Sequence, residues 1–121
     1  MSHRILVVDD NALNLDLVGK ILGLEGYEVI TAESGDEALQ KVGAFQPDMA
    51  ILDVMMPDMD GFELCRRLRR LPECAGIPVI MLTASSSESD KIEAQNAGAN
   101  DLLGKPFSMD TLRAHIHAFL K

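Results

Sequence analysis

Asp9 and Asp10 stand directly behind the apolar run Ile5-Leu6-Val7-Val8, and Asp53 directly behind a second run, Met49-Ala50-Ile51-Leu52. A carboxylate set against a buried strand loses hydration and needs compensation. Three such carboxylates brought together repel one another and cannot all stay ionised cheaply. A hard divalent cation relieves that repulsion, because Mg²⁺ takes oxygen ligands and usually retains several waters. One or two of these acids, a backbone carbonyl and a phosphate oxygen would complete such a site. Thr83, which closes the run Val79-Ile80-Met81-Leu82, and Lys105, which follows Asp101-Leu102-Leu103, suit the same chemistry. A lysine and a metal neutralise charge on phosphoryl oxygens while a hydroxyl fixes their orientation. Singly, each residue has an ordinary reading: helix caps and turn formers for the Asp pair, a β-branched strand residue for Thr83, a loop lysine for Lys105. Four strand ends carrying complementary groups form a less ordinary pattern.

The elements that must bring these residues together alternate along the chain. Short apolar runs at residues 5–8, 27–32, 49–52, 79–82 and 101–103 read as strands, the last being the shortest. Between them lie helical patterns. Leu13, Leu17, Val18, Ile21 and Leu22 repeat at helical spacing and stop at Gly26. Ser34-Gly35-Asp36-Glu37 forms a capping box for a helix with Ala38, Leu39, Val42 and Phe45 on one face. A third helix is predicted over Phe62 to Arg70, and a fourth between the Ser85-Ser86-Ser87 cluster and Gly98. Ser108 caps a last helix carrying Leu112, Ile116, Phe119 and Leu120. The predicted fold is therefore α/β, a doubly wound (βα)5 domain over residues 1–121 with a parallel sheet and helices on both faces; right-handed crossovers leave a few strand orders, and the flavodoxin-like one, 2-1-3-4-5, is expected. In such sheets ligands bind beyond the carboxyl ends of the strands, where strand order reverses, here between strands 1 and 3. That rule ranks the aspartates of DMAILDVMMPDMDGF. Asp48 precedes its strand, Asp58 and Asp60 sit in a turn-forming PDMDG loop, and Asp53 joins Asp9 and Asp10.

The chain has 121 residues, 47% hydrophobic and 25% charged, with a net charge of −8. This suits one globular domain and argues against a direct nucleic-acid contact by it. No apolar stretch approaches the length of a membrane span and no signal peptide is visible. Cys65 and Cys74 lack metal-ligand spacing, so a cytoplasmic setting is expected. Arg66, Arg67, Arg69 and Arg70 read as a solvated helix face, His115 and His117 as a poor ligand pair, and the seven methionines mainly as core gap-fillers.

Over essentially its whole length the sequence resembles the receiver domains of bacterial two-component response regulators, including chemotaxis regulators. ILVVDDN (5–11), ILDVMMPDMDGFEL (51–64), PVIMLTA (78–84) and AGANDLLGKPF (97–107) carry the likeness. The resemblance implies Asp53 as phosphoacceptor, Asp9 and Asp10 as metal-binding acids, and the backbone carbonyl of Met55 as a further ligand to Mg²⁺. It implies Thr83 as the switch hydroxyl, Lys105 as the phosphate lysine and a cis Lys105-Pro106 bond. A phosphohistidine-bearing sensor kinase or phosphotransfer protein would then donate the phosphoryl group. An output domain or downstream protein would receive the signal, with dimerisation on phosphorylation as one route. Such a domain catalyses its own phosphorylation and dephosphorylation without acting on a metabolite. Leu102 departs from the family, which places Tyr or Phe three residues before the lysine and uses that ring in signal relay. Other functions fit less well. A phosphohydrolase of the haloacid dehalogenase type needs an acid where Met55 stands, and a flavin carrier needs aromatic residues that a 4% aromatic chain scarcely offers. A phosphorylation-independent interaction module would have no need of Asp53.

Overall fold

Strand burial is complete where the sequence is most apolar. A computed structural model describes residues 3–84 and 87–120. β1 (Arg4–Val8), β2 (Glu28–Ala32), β3 (Met49–Asp53), β4 (Val79–Thr83) and β5 (Asp101–Gly104) form one parallel sheet in the order β2-β1-β3-β4-β5. Every residue of β3 and β4 is buried, as central strands covered on both faces must be. β2 and β5 form the edges and are partly exposed.

Helices α1 (Ala12–Leu24), α2 (Gly35–Phe45), α3 (Gly61–Arg69), α4 (Glu88–Ala97) and α5 (Met109–Phe119) link and follow the strands. Side chains alternate across a strand, so each strand feeds two cores. Leu6, Val8, Ala50, Leu52 and Met81 belong to the core that takes up α2, α3 and α4, with Val42, Leu64 and Ala94. Ile5, Val7, Ile51, Ile80 and Leu82 belong to the core on the other face, with Leu15 and Val18 of α1 and Leu112 and Ile116 of α5. Local chemistry agrees with these bounds. Asn11, Ser34, Asp60, Ser87 and Ser108 each accept a backbone N–H at the start of their helix. Gly98 ends α4 with φ +96°, a conformation that favours glycine. Ser85 and Ser86 of the predicted capping cluster lie outside the described residues.

Two expectations need correction. The inward face of α1 is Leu15, Val18 and Leu22, while Leu13 and Leu17 are 80% and 57% exposed. Residues three and four apart share a helix face, and the chain offers two competing leucine registers, of which the sheet accepts one. The arginine-rich segment is also more than a solvated face. Arg67 and Arg70 are exposed, but Arg66 pairs with Glu93 and Arg69 is drawn inward. The Arg69 guanidinium donates to Gly98 O (2.8 and 3.0 Å), Cys74 O (2.9 Å), Ile77 O (2.6 Å) and Asn100 Oδ1 (3.0 Å). It ties the end of α3 to the segment before β4 and the turn before β5. The methionines divide between core and surface, Met55 being 70% exposed. Met49 and Met81 are fully buried, and His115 bonds through Nδ1 to the Asp101 carboxylate without His117.

Arg69→Met should cost about 2–4 kcal/mol in urea unfolding, since it strands several carbonyls that a charged donor satisfied. Arg69→Lys should fail to restore most of the loss, because an ammonium cannot reproduce the planar fork. Arg67→Ala, which removes an exposed pair with Glu63, should stay within about 1 kcal/mol of the parent.

Candidate functional site

The parallel sheet puts the carboxyl ends of β1, β3, β4 and β5 along one edge, and five of the sequence-predicted residues sit on it or directly after it. Register pairs Val8 with Leu52, Asp53 with Leu82, and Thr83 with Gly104. Asp9 and Asp53 are buried, at 5% and 4% exposure, while Asp10 faces solvent. One ligand oxygen from each of Asp9, Asp10 and Asp53 lies within 4.8 Å of the others. Lys105 reaches in from the turn after β5, its Nζ 2.8 Å from Asp53 Oδ1 and 3.8 Å from Asp9 Oδ2. The Lys105-Pro106 peptide is cis.

Burial pushes the Asp53 carboxyl above its ordinary range; the Lys105 hydrogen bond opposes this, and the charges of Asp9 and Asp10 add to it. A single ammonium among three acids leaves the cluster electronegative. An all-oxygen donor set with that excess of charge suits a hard cation and not a soft one.

Strand parity divides the site. Asp53 shares the parity of Met49 and Ile51, which face α1 and α5. Thr83 shares that of Val79 and Met81, which face the other core. Each side opens into its own cavity. One of about 550 Å³ includes Asp9, Asn14, Lys105 and Phe107 in its wall. The other, about 560 Å³, has Val54, Met55, Phe62 and Thr83. The Met55 side chain is 70% exposed at that rim. Thr83 also supports Lys105 through the backbone, its carbonyl accepting the Lys105 N–H at 2.6 Å. Asp48 lies at the opposite end, accepting the Arg4 N–H, and Asp60 caps α3, as their sequence positions predict.

Sequence reasoning missed three neighbours. The Asn11 N–H donates to Asp9 Oδ1 at 2.9 Å, and Asn14 Nδ2 donates to Asp9 Oδ2 at 3.4 Å. Gly61 lies so near the backbone of Asp53 that a Cβ would meet the Asp53 carbonyl oxygen at 2.4 Å. Asn11 was detectable as a helix-capping type directly after the Asp pair. The Gly61 contact links residues eight apart across a loop and has no periodic signal.

The model of the response regulator receiver domain matches residues 5–117. The chain belongs to this family. Response regulator MprA of Mycobacterium ulcerans is 42% identical over 121 residues, which are 100% of this chain and 51% of that protein. The alkaline phosphatase synthesis transcriptional regulatory protein PhoP of Bacillus subtilis is also 42% identical, again over 100% of this chain and 50% of its own length. This receiver thus spans about half the length of both relatives. The chemotaxis protein CheY4 of Vibrio cholerae superposes with a TM-score of 0.96 at 37% identity, covering 99% of this chain and 100% of that one. The receiver is accordingly a phosphorylation-dependent signalling domain of the two-component type, with the flavodoxin-like fold and an acid cluster able to hold a hard cation. No helix among the described residues is long and apolar enough to cross a membrane.

The raised Asp53 pKa has a definite sign for stability. A carboxyl whose folded pKa lies above its unfolded value favours the folded state most below the unfolded pKa, and that contribution is lost as pH rises through the folded pKa. At neutral pH, without metal, Asp53→Asn should therefore raise Tm. The gain should shrink as pH falls through the raised Asp53 pKa and vanish below about 4, where the carboxyl is protonated in the folded and unfolded chain alike. Calorimetry of both proteins across that range provides the check.

Proposed function

We propose that Asp53 is the phosphoacceptor of this receiver, with Asp9, Asp10 and the Met55 carbonyl holding Mg²⁺ and with Thr83 and Lys105 receiving the phosphoryl oxygens. The observation that carries the reading is the Lys105 ammonium, 2.8 Å from a buried Asp53 carboxylate that shares its position with two further acids. A carboxylate oxygen of Asp53 attacks the phosphorus of a donor phosphohistidine. The O–P bond forms, the P–N bond breaks, and the leaving imidazole takes a proton from solvent. Water later attacks the same phosphorus, releasing inorganic phosphate and restoring the carboxylate. Bound Mg²⁺ would supply charge neutralisation for the transferring group. Lys105 contributes a fixed positive charge at the same place, and the buried walls limit hydration of the reacting atoms.

Phosphorylation turns the Asp53 carboxylate into an acyl phosphate, a net gain of at most one negative charge, and adds new acceptor oxygens at a sheet edge that both cavities adjoin. Thr83 and the backbone bond from Thr83 O to Lys105 N couple β4 to the turn after β5. Leu102 packs partly buried against the α2–α4 core and carries neither hydroxyl nor ring. The relay therefore runs mainly through Thr83 and the segment after β4, with a smaller change at Leu102. The donor is a sensor kinase or phosphotransfer protein, the recipient an output domain or partner, and the setting the cytoplasm. The unit is one receiver over residues 1–121.

Incubation with Mg²⁺ and a small-molecule phosphodonor should add one phosphoryl mass per chain, and Asp53→Asn should abolish the addition. Full labelling of that variant would overturn the assignment. In the same experiment Asp10→Ala should slow labelling at least tenfold, the usual scale for loss of a metal-side acid. Leu102→Tyr should enlarge the backbone NMR shifts over residues 87–120 on phosphorylation; equal shifts in the parent would remove the idea of a reduced role for Leu102.

A further inference from the structure

Two buried carboxylates compete for one ammonium in this site. Lys105 Nζ is 2.8 Å from Asp53 Oδ1 and 3.8 Å from Asp9 Oδ2. Both acids are at least nine-tenths buried, so burial alone gives Lys105 no reason to prefer Asp53. The difference lies in their other donors. Asp9 Oδ1 accepts the Asn11 N–H, and Asp9 Oδ2, the oxygen nearer Lys105, accepts the Asn14 side-chain amide. Each carboxylate oxygen offers about two acceptor sites, so the Asn14 amide takes one of those on Asp9 Oδ2 and leaves Lys105 less to gain there.

We propose that Asn14 is a positioning residue: by donating to Asp9 Oδ2 it keeps Lys105 committed to Asp53. Its place in the fold suits that task. Asn14 lies in the first turn of α1, where its own backbone N–H is held by the Asn11 side chain at 3.1 Å. The helix start is thus fixed at the same point from which the amide reaches back five residues to Asp9. Asn14 also forms part of the wall of the cavity that Asp9, Lys105 and Phe107 line. Leucine at position 14 would leave Asp9 Oδ2 short of a donor, and Lys105 would move toward it. Aspartate would place a third acceptor there and draw the lysine in the same direction. Either change leaves the phosphoacceptor without its cation and the lysine out of reach of the phosphoryl oxygens. Asn14 touches neither the acceptor nor, by this account, the phosphoryl group.

This inference rests on the phosphoacceptor reading for its consequence, but its first test does not. In metal-free, unphosphorylated protein, NMR of the lysine ammonium groups reports which carboxylate carbon couples to Lys105 Nζ across the hydrogen bond. The parent should show coupling to Asp53. Asn14→Leu and Asn14→Asp should lose it and gain coupling to Asp9, and Asn14→Gln, which can still donate, should retain the parent pattern. Position 14 is exposed on a helix, where leucine is well tolerated, so folding is expected in all three. With Mg²⁺ and a small-molecule phosphodonor, labelling by Asn14→Leu should slow about tenfold, the lower end for loss of a hydrogen bond onto a metal-side carboxylate, and Asn14→Gln should recover it. Unchanged Lys105–Asp53 coupling in both Asn14→Leu and Asn14→Asp would overturn the proposal. A shift of Lys105 without any labelling of the parent would leave Asn14 in its role and overturn the phosphoacceptor reading instead.

Discussion

A single ammonium shared between buried acids is the constraint on which the rest of this site depends. Asp53 and Asp9 are held out of water at the ends of central strands, where an unpaired carboxylate is costly. Lys105 can offset that cost only because the turn after β5 is fixed to the end of β4 by the Thr83 O to Lys105 N bond. That bond in turn requires β4 and β5 in their observed register, Thr83 beside Gly104. The sheet order, the register and the turn thus act through one electrostatic contact. The site remains electronegative even so, and this residual charge makes it receptive to a hard cation.

The remainder of the molecule is arranged to keep that edge in place. Gly61 admits the start of α3 against the Asp53 carbonyl, which a side chain would push away. At the far end of the sheet Arg69 gathers the segments that lead into β4 and β5. Errors in those segments would be carried along two short strands to Thr83 and Lys105. A residue distant from the chemistry therefore governs its geometry through strand register, without touching any reacting atom.

Much of this was legible in the sequence because it depends on periodicity and strand ends. Alternating short apolar runs and helical patterns imply a doubly wound parallel sheet, and among its few strand orders 2-1-3-4-5 brings Asp9, Asp10, Asp53 and Lys105 to one place. The exposed leucines of α1 were not legible, since Leu13 and Leu17 share their spacing with a second set, Leu15, Val18 and Leu22, that fits the sheet. Arg69 was concealed in a run of arginines whose other members include solvated ones. Its role depends on carbonyls distant in sequence, and local composition has no term for them. Asn14 falls in the same class: an ordinary polar helix residue until Asp9 is found five positions behind it.

The alternation of side chains across β3 and β4 has a consequence for how such a domain diversifies. Asp53 belongs to the face of α1 and α5, and Thr83 to the face of α2, α3 and α4. At the end of the sheet these two parities meet, so one edge adjoins two separately packed cores. A substitution in one core therefore reaches the edge from one side of the sheet and meets only one of these two side chains first.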